Sequence, residues 1–380
     1  MTVPTSRSPA GMPWDTLFGG LSQASDRIAA MHRLDEVKGR HRPPSPLTDP
    51  PTCGRAVMTE YTPVPFDPEI EPALAEIVPQ DAPPFTPETV PAIRQAMAAM
   101  FTPAAEAVGD APVTVEERTI PGPEGAPDLT VTIISPRDFD RPVPGLYNIH
   151  GGGMMVGHRD MDVPRLLALV LELGVVAVNV EYRLSPEHPH PAPVEDCYAG
   201  LVWTAKHASE LGIDPDRIVV MGGSAGGGLS AGVALLARDR GGPHVAGQLL
   251  LCPMIDDTNT TVASHQYAGI GTWTRESNIA GWQSLLGADA GTDAVSPYAA
   301  PARATDLSGL PPAFIEVGSA EPFRDEDTQY ALRIWATGGQ AELHVWSGAF
   351  HGFDIYVPEW HISKAALATR NSWLRRVLGL

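Results

Sequence analysis

The chain has 380 residues, enough to bury a large core as one α/β domain with an appendage. A net charge of −19 excludes nucleic acid and anionic membrane as partners, since no basic stripe is present to release counterions. Cys53, Cys197 and Cys252 are widely spaced and offer neither a disulfide framework nor a zinc spacing, so a reducing, cytoplasmic setting is expected. Met1–Gly20 has no basic region followed by an apolar run, and no apolar stretch is long enough for a bilayer, so neither a secretory signal nor stable membrane insertion is expected.

In chain order, the segment before Val113 is rich in proline and poor in strand patterns. His41–Pro46 and Asp49–Pro51 read as extended linker. Helical patterns occur at Trp14–Val37 and Val90–Val108, the second with Ile93, Met97, Met100 and Phe101 at helical spacing. Met58 is a plausible natural start, which would make what precedes it dispensable for activity.

From Val113 the texture changes. Val113–Ile120 and Leu129–Ile134 alternate as half-exposed strands do. Gly145–Ile149, Val175–Val180, Ile218–Met221, Gly247–Cys252 and Ala313–Val317 read as buried strands, and Ala341–Trp346 as the last strand. Helices are expected over Val163–Leu173, Val194–Leu211, Ser224–Arg238 and Ile362–Leu378. The alternation implies an α/β fold, a mainly parallel sheet covered on both faces. Asp256–Gly291 interrupts it with a polar loop and a helix at Ser277–Leu286, placed where a ligand would approach the carboxyl edge.

Two glycine motifs follow strands. Gly222-Gly223-Ser224-Ala225-Gly226 is a G-x-S-x-G nucleophile elbow, and His150-Gly151-Gly152-Gly153 is a glycine loop able to turn backbone N–H groups into a site. With 37 glycines in the chain the elbow pattern alone is weak, but the pair in this order is specific. A serine hydroxyl needs a base, and the base needs an orienting carboxylate. His351 follows the last strand and is the expected base; His150 shapes its loop, and His344 and His361 are structural. Glu321 is the first acid after the penultimate strand and is preferred over Asp325, which with Asp327 is expected to cap the next helix or pair with Arg324. Gly152, Gly153 and Ala225 are the expected oxyanion donors. Met154, Met155, Phe101, Trp273 and Trp282 are candidates for an acyl pocket.

These residues, with Tyr182-Arg183-Leu184-Ser185-Pro186-Glu187-His188-Pro189, Pro191-Ala192, Glu195-Asp196 and His351-Gly352-Phe353, resemble the hormone-sensitive-lipase-like (bacterial family IV) esterases of the α/β-hydrolase fold. The chain departs from that pattern at Gly223 and Glu321, where aspartate is usual. The resemblance implies a mostly parallel eight-stranded sheet. It implies a helical cap built from residues 1–112 and 256–291 on a catalytic domain 113–380. It also implies esters of short to medium acyl chains as small-molecule substrates, and a homodimer. Arg183 and Glu187 would tie the loop behind the glycine turn. The expected reaction is ester hydrolysis through an acyl-enzyme, with no metal or organic cofactor needed. An amidase or peptidase with the same triad and a non-catalytic binding protein on the same scaffold are the alternatives.

Overall fold

Among the described residues, eight strands carry the fold: β1 (Val113–Ile120), β2 (Leu129–Pro136), β3 (Val143–Ile149), β4 (Val176–Glu181), β5 (Ile213–Gly223), β6 (Gly247–Leu251), β7 (Ala313–Gly318) and β8 (Ala341–Trp346). The computed structural model describes residues 61–78, 83–139 and 142–380, so the helix expected at Trp14–Val37, Cys53 and Met58 lie outside the described residues. The strands form one sheet in the spatial order β1-β2-β4-β3-β5-β6-β7-β8. β2 pairs antiparallel with β1 and β4, and every other ladder is parallel. This is the α/β-hydrolase arrangement, mixed at one edge.

Helices cover the sheet. They include α1 (Glu71–Ile77), α2 (Val90–Ala98), α3 (Val163–Leu173), α4 (Ala192–Lys206), α5 (Ala225–Asp239), α6 (Arg275–Leu286), α7 (Arg324–Ala336) and α8 (His361–Leu378). The central strands β3 to β7 are apolar and buried over most of their length, as parallel strands under helices on both faces must be. The expected alternation is not seen in the two edge-side strands: β1 is buried only at its ends, Val113 and Ile120, and β2, lying between β1 and β4, is buried over most of its length.

Several boundaries differ from the sequence reading for local reasons. β5 begins at Ile213, before Asp214-Pro215-Asp216, because a register shift between Val143 and Gly145 of β3 lets the ladder continue around that turn-like run. The long helix expected to Leu211 breaks at His207, whose Nδ1 bonds the Trp203 carbonyl at 2.8 Å. The helix from Val90 stops at Ala98, and Pro103 leads into the short turn Ala104–Ala107.

Candidate active site

β5 delivers Ser224 to the carboxyl edge in a sharp turn. Its backbone stands at φ 56°, ψ −123°, a region that costs a non-glycine residue about 1–3 kcal/mol. The surroundings enforce it. The Ser224 N–H donates to the Leu251 carbonyl at 2.8 Å, and the Ser224 carbonyl accepts the N–H groups of Gly228 at 3.0 Å and Met254 at 2.9 Å. α5 can start this close to β3 only with glycine at 226, where a Cβ would fall 2.0 Å from the Ile149 carbonyl oxygen.

His351 lies beyond β8 in a loop packed on Ile70, Leu74, Phe350 and Phe353. A backbone bond ties this loop to the segment before α1, with the Asp67 N–H on the Gly348 carbonyl at 3.0 Å. The Thr272 hydroxyl donates to the His351 carbonyl. The imidazole is 9% exposed and has the Phe323 ring edge-on at 5.1 Å. Its Nε2 is 2.9 Å from Ser224 Oγ and its Nδ1 is 2.5 Å from Glu321 Oε2. A carboxylate at Nδ1 keeps the proton there and leaves Nε2 to accept from the hydroxyl. The other Glu321 oxygen accepts the Gly318 N–H at 2.7 Å, which seats the longer side chain. Asp325 is elsewhere: its carboxylate takes the Ala263 N–H at 2.8 Å and Arg324 Nε at 2.8 Å.

Asp327 does neither thing expected of it. It is fully buried and both its oxygens lack a hydrogen-bond partner; burial, followed by the nearby Glu326 and Glu321 charges, pushes its carboxyl well above the usual carboxylate range. Burial, followed by the Asp256 charge, raises Glu326 likewise, although Glu326 accepts the Ile255 and Asp256 N–H groups at 3.1 and 3.2 Å. Helix position alone marked Asp327 as a cap or a partner of Arg324, and no local signal in the sequence distinguishes a buried acid from an exposed one.

The glycine loop lies beside Ser224. Gly152 has φ 112° and a side chain there would meet the Val156 carbonyl oxygen at 2.0 Å, so only glycine makes this turn. The Gly152 carbonyl accepts from Met155 and Val156 at 3.1 and 2.9 Å, closing the loop on itself. His150 is buried, with Nδ1 on the Gly151 carbonyl at 2.8 Å and its ring stacked on Tyr182 at 4.2 Å. The Tyr182 hydroxyl donates to the His150 carbonyl at 3.0 Å. His150 is therefore a strut of the loop.

Arg183 clamps Asp196 with a fork at 2.8 and 2.6 Å. Glu187 meets Arg94 of α2 at 2.9 and 2.8 Å. The Arg94 hydrogen bond pulls the Glu187 carboxyl below its usual range. Arg94 also donates to the Met155 carbonyl at 2.6 Å and the Ser185 carbonyl at 2.7 Å, a link from α2 to the glycine loop that the sequence pattern did not reveal. Of the pocket candidates, Trp273 stands 6.4 Å from the His351 ring and 5.5 Å from Phe85. Phe101 is half-buried, while Met154, Met155 and Trp282 are core residues. Cys252 was also unforeseen: single donor atoms of Cys252, Glu321 and His351 lie within 4.8 Å of one another. Burial, followed by the Glu321 charge, pushes the Cys252 thiol up and keeps it protonated.

A serine turned out at a strand end, with an imidazole and a carboxylate in line behind it, belongs to the α/β hydrolases, and the family model of the alpha/beta hydrolase fold (Abhydrolase_3) matches residues 146–355. The chain is 37% identical over 249 residues to "Carboxylesterase NlhH" of Mycobacterium tuberculosis, covering 64% of this chain and 77% of that one. Among solved structures it is similar to "Bacterial Heroin Esterase", with TM-score 0.75 and 39% identity over 81% of this chain and 98% of that one. Esterase LipW from Mycobacterium marinum is similar with TM-score 0.74 and 32% identity, over 83% and 98% of the two chains. The chain belongs to the hormone-sensitive-lipase-like esterases of this fold and is a carboxylesterase acting on small-molecule esters. None of its described helices is long and apolar enough to cross a membrane.

Proposed function

We propose that the protein hydrolyses short to medium acyl esters by two-step acyl transfer through Ser224, His351 and Glu321. The observation that carries this reading is the unbroken line from Glu321 Oε2 to His351 Nδ1 at 2.5 Å and from His351 Nε2 to Ser224 Oγ at 2.9 Å. His351 takes the hydroxyl proton as Ser224 attacks the carbonyl carbon, and then protonates the departing alcohol. Water, deprotonated by the same imidazole, attacks the acyl-enzyme and releases the acid and free Ser224. Glu321 stays ionised and holds the imidazole tautomer. The N–H groups of Gly152, Gly153 and Ala225 receive the oxyanion, Ala225 with the help of the α5 N-terminus.

The described helices Glu71–Ile77 and Val90–Ala98, which precede residue 113, and residues 256–291 act as a cap on the catalytic part of the chain. Thr272 and Trp273 from the last of these segments reach the His351 loop, which supports a role in substrate selection. A homodimer would use the open edge of β8, next to the exposed Val345, Trp335 and Leu332. Free Cys197 and Cys252 suit a reducing, cytoplasmic setting. The deciding experiment is Ser224→Ala assayed with p-nitrophenyl butyrate: hydrolysis at the parent rate would end the proposal. A series of p-nitrophenyl esters of increasing chain length, with an anilide for comparison, defines the substrate range.

A further inference from the structure

Three segments must keep their mutual position for this chemistry. They are the end of β3 that leads into His150–Gly153, the residue before Ser224, and the turn after His351. One guanidinium, that of Arg165 on α3, is linked to all three: to the His351 turn through Asp354, to the end of β3 through Asp162, and to the residue before Ser224 by its nearness to Gly223 on the side a Cβ would take. Its Nη2 is 3.5 Å from Asp354 Oδ2, and Asp354 belongs to the short helix Phe353–Tyr356 that begins just past His351. Its Nη1 is 3.4 Å from Asp162 Oδ1. The other Asp162 oxygen accepts the side-chain N–H of Asn148 at 3.0 Å, and Asn148 is the penultimate residue of β3. The same Nη1 is 3.5 Å from the point a Cβ would occupy on Gly223.

A second interior cation stiffens the assembly. Arg370 of α8 is 4% exposed, donates to Asp354 Oδ2 at 2.7 Å and meets Glu316 of β7. Glu316 in turn accepts the Trp346 indole N–H at 3.1 Å at the end of β8. Burial opposes ionisation of Asp354, yet Arg370 and Arg165 hold its carboxyl below the usual range. Charges paired in a water-poor interior resist displacement far more than surface pairs, because a broken pair leaves an ion without solvation. A planar guanidinium also fixes the directions of its donors, which an ammonium does not.

We propose that Arg165 is a positioning residue for ester hydrolysis, the joint that registers the glycine loop, the elbow and the His351 turn to one another. The inference rests on the Ser224–His351–Glu321 reading and goes beyond it, since the ion-pair partners of Arg165 are Asp162 and Asp354 and not those three side chains. Its physical content is that a charge-retaining change at 165 leaves the ester-binding walls alone and misaligns the reacting atoms. An error of about 1 Å of this kind costs up to about 100-fold in rate.

The test compares the parent, Arg165→Lys, Asp354→Asn and Ser224→Ala with p-nitrophenyl butyrate, reading kcat, KM and melting temperature. The expected result is a kcat fall of about 10- to 100-fold in Arg165→Lys with KM within about twofold. Asp354→Asn, which keeps its size, should show a smaller fall in kcat with the same split. Parent-like kcat in both folded variants, or a loss confined to KM or to melting temperature, overturns the proposal. Should Arg165→Lys fail to fold, Asp354→Asn decides. Activity surviving in Ser224→Ala would instead remove the underlying mechanism, whereas a dead Ser224→Ala beside a parent-like Arg165→Lys removes the role of Arg165 alone.

Discussion

The corner that carries Ser224 and the neighbouring helix α2 are secured by different means. At the corner, main chain meets main chain: Ser224 is fixed by bonds to Leu251, Gly228 and Met254, and Gly226 lies where no side chain fits. α2 is joined to the glycine loop through one long side chain, Arg94, which spreads over Met155, Ser185 and Glu187. Backbone contacts at van der Waals limits leave no room for adjustment, so the corner tolerates almost no substitution. A flexible arginine can be loosened by degrees, so changes at α2 are expected to act more gradually than changes at the corner.

The largest effect expected from breaking this contrast is chemical. Glu321→Gln keeps the shape but reverses the hydrogen-bonding sense at Nδ1, and kcat should fall by about 10⁴ while circular dichroism stays that of the parent. Next comes Gly226→Ala, whose methyl would collide with the Ile149 carbonyl; a loss of about 4 kcal/mol or an insoluble product is expected in denaturant titration or expression trials. On the other side of the comparison, Arg94→Ala removes charge-assisted bonds to two carbonyls and should destabilise by about 1.5–3 kcal/mol, with KM rising more than kcat falls. A parent-like KM there would show that α2 takes no part in substrate binding.

A smaller effect, of opposite sign, is expected at Asp327. Its folded-state pKa is raised, so the folded protein binds the proton that the unfolded chain releases. Stability from this group is complete below the ordinary carboxylate pKa and declines as pH rises toward the folded value. Asp327→Asn should therefore flatten the decline in melting temperature as pH rises above the ordinary carboxylate range and raise stability at the upper end. The smallest effect belongs to the exposed edge: Glu210→Gln removes a half-exposed partner of Arg118 and should change stability by less than about 0.5 kcal/mol.

Much of this was legible before any coordinates. β-Branched runs gave the central strands, because a strand buried on both faces has little choice of residue. Ser224, the glycine loop and the late His351 were readable because a sharp strand-to-helix turn admits few residue types, and Glu321 followed from its place after β7. Asp325 and Glu321 were harder to separate, since both follow β7 within a few residues and only tertiary contacts, His351 and the Gly318 N–H for Glu321 and the Ala263 N–H and Arg324 for Asp325, distinguish them.

Local backbone demands and hydrophobic periodicity act over a few residues, so the amino-acid order alone was enough for the class of fold, the strand-to-helix elbow at Ser224 and the two residues, Glu321 and His351, that the fold brings to it. The meeting of Arg165 with Asp354, its nearness to Gly223, the reach of Arg94 and the thiol of Cys252 beside His351 join residues far apart in the chain, and the burial of Asp327 depends on such packing. Their neighbours are chosen by how helices pack on a twisted sheet, and no short-range pattern records that choice.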